Sequence, residues 1–216
     1  MSTRWVIVDD TSHDVNYVGG SWFADIGSQD AAGNFGPPFL STLHGTNSSA
    51  SLSLSFTGRS YPDLNSYYSN KMWALGSSVR VIGANNIRND SGVIDPQWSC
   101  DVDGVGIDSG SPFQYPENNW LFCHSYSLTD GPHTVTVNAT VAKNQTFWFD
   151  RIEYAPSSGV SLANKTIAVN SPDRAMQFSN GWNDYAEIGN WTQTQNAVFA
   201  LNFYGMLTES NSFIIK

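Results

Sequence analysis

The chain has 216 residues and a formal net charge of −9, from 10 Lys and Arg against 19 Asp and Glu; charged and aromatic residues each make up 13%. So acidic a chain has no cationic excess to displace the counterions of a nucleic acid, and so aromatic a chain is not disordered. The length suits one large domain, or one domain and part of another.

Helix signals are nearly absent, and short strand signals recur. Trp5-Val6-Ile7-Val8 is an apolar run stopped by the turn-forming Asp9-Asp10. That stop also breaks the three-part pattern of a signal peptide, and no stretch approaches the roughly 18 apolar residues of a membrane span. From Ser49 to Phe56 the pattern alternates, with Ala50, Leu52, Leu54 and Phe56 on one face and serines on the other. Ser78–Gly83 has the same period of two. Cys100–Gly104 alternates and ends in a turn. Pro116-Glu117-Asn118-Asn119 reads as a loop before a strand over Trp120–Tyr126. Asp130-Gly131-Pro132 is a turn that launches His133–Val137, and Phe147–Tyr154 closes the series before a Pro156-Ser157-Ser158-Gly159 linker. Many short strands at this spacing predict an all-β sandwich or jelly roll.

Cys100 and Cys123 each sit in a strand-like run without zinc-site spacing. An even count in an extracellular-looking β chain favours a bridge between them; two separate buried thiols are the alternative. Six N-x-S/T sequons, at Asn47, Asn89, Asn138, Asn144, Asn164 and Asn190, are candidate glycosylation sites.

An internal repeat follows the linker. Val8 to Tyr17 is echoed by Val169 to Phe178, Trp22 by Trp182, and Ala50-Leu52-Leu54-Phe56-Gly58 by Ala197-Phe199-Leu201-Phe203-Gly205. The expected organisation is a sandwich over residues 1–156, a linker over 157–166 and a truncated second copy over 167–216. The Tyr-, Asn- and Ser-rich segment 59–76 separates two strands that a tight turn would join. It is expected to be an atypical insertion, on the sharper reading a retained intron.

The ordered set Trp5-Val6-Ile7-Val8-Asp9-Asp10, Tyr17 with Ser21-Trp22, Leu43-His44-Gly45-Thr46, Phe56-Thr57-Gly58, Val102-Asp103-Gly104 and Leu128-Thr129-Asp130-Gly131-Pro132-His133-Thr134-Val135-Thr136-Val137 resembles a group of surface proteins of mushroom-forming (basidiomycete) fungi. These carry one or two galactose-binding-like jelly-roll domains, often followed by a membrane span. The resemblance implies that fold and an extracellular or cell-surface location. It leads us to expect that the missing signal and span belong to an incomplete chain. It also implies a structural calcium between the first and last strands, for which Asp9, Asp10 and Asp150 are the candidates, six to eight hard oxygens being needed. The alternative for Asp150 is a hydrogen bond to a backbone amide or a Tyr.

Catalysis is not expected. The Asp9, Asp10, Asp14 and Asp101, Asp103, Asp108 groups read as turn residues, G-x-S-x-G is absent, and the four His lack metal spacing. Carbohydrate recognition would pair an aromatic face with polar side chains. Trp22, Asn86, Arg88, Phe113, Tyr115, Asn118, Asn119 and Trp120 are the candidates, the 111–120 loop being richest. The repetition of Trp22 as Trp182 argues for a structural role there. Two readings result: a non-catalytic module binding cell-wall or surface glycan, or a structural, protein-contacting ectodomain. Burial of Phe113, Tyr115 and Trp120 would favour the second.

Overall fold

The structure is a computed structural model that describes residues 4–58, 79–90, 92–125, 127–143, 145–169, 173, 175–185 and 189–201. The predicted insertion 59–76, the Asn144 sequon and the second-copy residues beyond 201 lie outside them.

The described residues form strands and one short 3-10 turn, Phe39–Ser41. In chain order the strands are β1 Arg4–Asp9, β2 Val15–Val18, β3 Trp22–Ile26, β4 Thr42–Thr46, β5 Ala50–Gly58, β6 Val79–Asn85, β7 Arg88–Asp90, β8 Val93–Asp95, β9 Gln97–Val102 and β10 Val105–Gly106. They continue as β11 Asp108–Ser109, β12 Glu117–Ser125, β13 Gly131–Thr140, β14 Phe147–Tyr154, β15 Thr166–Val169, β16 Met176–Phe178, β17 Trp182–Tyr185, β18 Gly189–Thr192 and β19 Phe199–Leu201. One sheet runs β11-β12-β6-β14-β1-β15, with β4 also on β14 and β3 on β4; the other runs β10-β9-β13-β5-β2. The protein is therefore an all-β antiparallel sandwich.

The alternation read from sequence sets the inner faces. Leu52, Leu54 and Phe56 on β5, and Val135 and Val137 on β13, meet Val6, Val8, Val81, Phe147 and Phe149 of the other sheet in one core. Cys100 of β9 and Cys123 of β12 form a disulfide with Cα atoms 6.2 Å apart, so the bridge joins the two sheets through that core.

Two expectations are corrected. Glu117-Asn118-Asn119 is not a loop but the start of β12, paired from Glu117 to Asn85 and irregular up to Trp120, with Asn119 at φ +54. Asn tolerates that left-handed conformation. The residues expected to open the second copy also belong elsewhere. Thr166–Val169 adds as an edge strand to β1, and Arg4 forms a two-pronged ion pair with Asp173 (2.8 and 3.2 Å), so the first sandwich extends past residue 156.

The echoed residues pair as their counterparts do. In β2·β5, Val15 faces Leu54 and Tyr17 faces Leu52; in β16·β19, Met176 faces Leu201 and Phe178 faces Phe199. In β3·β4, Trp22 faces Thr46; its echo Trp182 likewise faces a threonine, Thr192, in β17·β18. The ring pairs match as well: Tyr17 and Trp22 lie 4.9 Å apart at 53°, Phe178 and Trp182 5.2 Å apart at 57°.

Candidate functional site: an aromatic row held by buried amides

The loop 27–41 and the loop 110–116 meet over the start of β12, and buried polar side chains hold both. Asn85, at the end of β6 and 1% exposed, donates from Nδ2 to the carbonyls of Phe113 (2.7 Å) and Tyr115 (2.9 Å) and accepts the Phe113 N–H at Oδ1. Glu117 accepts the N–H groups of Asn34 (2.8 Å) and Phe35 (2.9 Å). Asn118, fully buried, donates to the carbonyls of Gln29 (2.7 Å) and Ala32 (3.0 Å). Asn119 directs its amide N–H groups at the carbonyls of Phe35, Gly36 and Pro37 (3.1, 3.2 and 2.9 Å), while its Oδ1 accepts from Arg151 Nη1 (2.9 Å). Gly33, at φ +75, passes so close that a Cβ there would lie 2.2 Å from Glu117 Oε1, so no other residue fits.

These anchors set four rings in a row. Phe35 lies parallel to Trp120 (6.5 Å, 7°), Phe113 parallel to Trp120 on a shorter spacing (5.1 Å, 14°), and Tyr115 edge-on to Phe113 (5.5 Å, 70°). Phe35 and Tyr115 are 59% and 60% exposed and Phe113 36%. Trp120 is half-buried and donates its indole N–H to the Ser111 carbonyl (3.2 Å). The same loop, through Gly110, Ser111 and Pro112, walls an open cleft of about 500 Å³ whose other side carries Ile94, Gln97 and Trp98. Aromatic faces set beside a cleft lined by both polar and apolar side chains suit a ligand with an apolar C–H face and hydroxyl edges.

Asp9, Asp10 and Asp150 do come together, with a ligand atom of each within 4.8 Å of the others. Donors occupy the oxygens of Asp10 and Asp150, whereas Asp9 Oδ1 is buried with no hydrogen-bond partner. Asp10, fully buried, accepts from Thr42 Oγ1 and from the His44 ring (2.7 Å each); Asp150, equally buried, accepts the Phe39 N–H (3.1 Å) and pairs with Arg151. Asp9 accepts from Thr11. A calcium would have to displace Thr42, His44 and the Arg151 guanidinium. The Asp10 and Asp150 oxygens are committed to protein donors, and Asp9 Oδ1 is one hard oxygen of the six to eight that a calcium needs. Burial pushes Asp150 up to about 7 against the opposing pull of Arg151, and Asp10 up to about 6 against its bonds to His44 and Thr42. The Phe39 amide is the backbone donor anticipated for Asp150.

The other predicted residues divide. Asn118 and Asn119 are corrected: their amide N–H groups donate to main-chain carbonyls, Asn119 Oδ1 accepts from Arg151 and Asn118 Oδ1 is buried, so they shape the site from beneath. Trp22 lies between the sheets against Tyr17 and Phe147 (4.9 and 6.4 Å), a packing position away from the row. Asn86 and Arg88 lie on the segment leaving β6, half-buried and exposed. Asn47, Asn89, Asn138 and Asn164 are exposed and Asn190 half-buried. Asn85, in the Asn- and Arg-containing stretch read as a candidate from sequence, serves as an anchor of the loop, whereas Phe35 and Glu117 are not singled out by the sequence. An aromatic residue inside Gly33-Asn34-Phe35-Gly36-Pro37 is the available signal for Phe35; nothing local marks Glu117.

His133 is buried, with Nδ1 at 2.7 Å from Asp103 Oδ2 and Nε2 at 2.7 Å from the Thr129 carbonyl, so both ring nitrogens are committed. Among the described residues no helix is long and apolar enough to cross a membrane. Comparison with protein-family models, with curated proteins and with solved structures found no match for this chain.

Proposed function

We propose that the chain is a non-catalytic, extracellular binding module that takes cell-wall or surface glycan on the Phe35–Trp120–Phe113–Tyr115 row. The observation that carries this reading is that three rings are exposed yet fixed by buried amides and a carboxylate, so a ligand meets a surface already ordered. A spacer without a small ligand would pack these rings inside. Phe113 and Tyr115 are instead exposed, which supports the glycan reading over a protein-contacting ectodomain. The inter-sheet disulfide supports an oxidising compartment. On the same reading the sandwich is a jelly roll of the galactose-binding-like kind, and the matched registers of β16·β19 and β17·β18 support a second copy whose first-strand counterpart, β15, lies in the first sheet.

The test is binding of the full chain to an array of fungal and plant polysaccharides, followed by titration. Phe35→Ala and Tyr115→Ala are each expected to weaken binding about 5–10-fold, the loss of roughly 1 kcal/mol of aromatic contact. No binding to any polysaccharide, or binding indifferent to both substitutions, overturns the proposal.

A further inference from the structure

The pairing of β1 with β15 has a symmetry that the pairing of an edge strand does not require. When the echo between the two halves is continued back from Val8 and Val169, Trp5-Val6-Ile7 corresponds to Thr166-Ile167-Ala168. In the sheet, Val6 faces Ile167, its own counterpart. Trp5 faces Ala168, the counterpart of Ile7, and Ile7 faces Thr166, the counterpart of Trp5. The ladder is thus antiparallel and two-fold about the Val6–Ile167 pair. That is the relation by which a strand pairs with a second copy of itself.

Replacing β15 by the β1 of another molecule keeps the register. Val6 would face Val6 of the partner subunit, and Trp5 would face Ile7 of the partner subunit. Those cross-strand pairs are more apolar than the pairs with Ala168 and Thr166 that they replace. Trp5, Val6, Ile7 and Val8 are all buried, so β1 is apolar on both faces, the type of edge that recruits another strand when uncovered. The structure covers it in cis. The chain returns after β14, lays β15 along β1 and fastens it with the Arg4–Asp173 ion pair. Tethering by a short connection gives β15 a millimolar-scale effective concentration, which a separate molecule must exceed. We propose that β1 is a self-complementary edge through which two copies of this chain pair, and that β15 with the Arg4–Asp173 latch covers that edge and holds the chain monomeric.

The experiment uses the full chain. The variant carries Ile167→Pro and Ala168→Pro together; successive N–H groups of a strand point to opposite edges, so one of the two prolines removes an amide that faces β1 and detaches β15. Light scattering at tens of micromolar is expected to give a monomer for the parent and a dimer for the variant. Hydrogen exchange of the Trp5–Val8 amides in the variant is expected to slow as concentration rises. A monomeric variant that retains its near-ultraviolet circular dichroism overturns the proposal. So does a parent that is already dimeric, or a variant dimer whose Trp5–Val8 amides exchange equally fast at all concentrations. Should that variant unfold the whole chain, Asp173→Ala decides, because it removes the Arg4 latch and, with it, a local bond to the Ala175 N–H. A dimer fraction above the parent's supports the proposal, and one equal to the parent's overturns it.

Discussion

Asn119 concentrates several requirements in one side chain. It sits at φ +54, faces three carbonyls of the Phe35 loop and gives its carbonyl oxygen to a buried guanidinium. Asn119→Ala removes the amide and puts a Cβ residue without a local hydrogen bond in a left-handed conformation. The expected loss is about 2–3 kcal/mol in urea unfolding. Asn119→Gly tolerates the backbone but still lacks the amide, so it is expected to lose only the hydrogen-bond share. Equal losses in the two variants would show that φ contributes nothing.

At the scale of elements, β14 explains how one sheet serves both a core and a site. All eight of its residues are buried. A bulge between Phe149 and Arg151 shifts the pleat, so Phe147, Phe149, Ile152 and Tyr154 share the core while Trp148 packs with Leu43 and Ala84 in a separate cluster. Arg151 is thereby free to reach Glu153, Asp150 and Asn119. The disulfide does comparable work between elements, tying β9 to β12 across the sandwich with a sequence separation of 23. Replacing Cys100 and Cys123 together by Ala is expected to cost about 3 kcal/mol, read as a lower urea midpoint, because the unfolded chain regains the entropy of an open loop. An unchanged midpoint would mean that the core alone holds the two sheets together.

For the whole molecule, three buried titrations act in one direction. The folded state holds protons on Asp10 and Asp150, raised to about 6 and about 7 by desolvation, which the unfolded state releases near the ordinary carboxylate value of about 4. Stability therefore falls as pH rises through that window. For His133, burial favours the neutral ring, but the bonds to Asp103 and Thr129 outweigh it and raise its pKa. Its contribution is complete below the ordinary His value and is lost as pH rises through the folded one, with the same sign. The chain is expected to show a higher urea midpoint at about pH 5.5 than at about pH 8, and Asp150→Asn is expected to flatten that difference. A midpoint that climbs toward pH 8 would contradict the burial of these carboxylates.

Local pattern was enough to name the sandwich. Alternation marked β5 and β13, β14 was delimited from Phe147 to Tyr154, and the two cysteines in strand-like runs were paired correctly, because a pleated strand writes its inside and outside into every second residue. Tertiary structure decided what that pattern does not encode. Whether Asn118 and Asn119 meet a ligand or a main-chain carbonyl depends on a loop more than 80 positions earlier in the chain. The same holds for Phe35 joining Trp120, and for Thr166–Val169 closing the first sandwich when the repeat pointed to the second. Side-chain type fixes which hydrogen bonds and contacts a residue is able to make; only the packed chain fixes which partner is within reach.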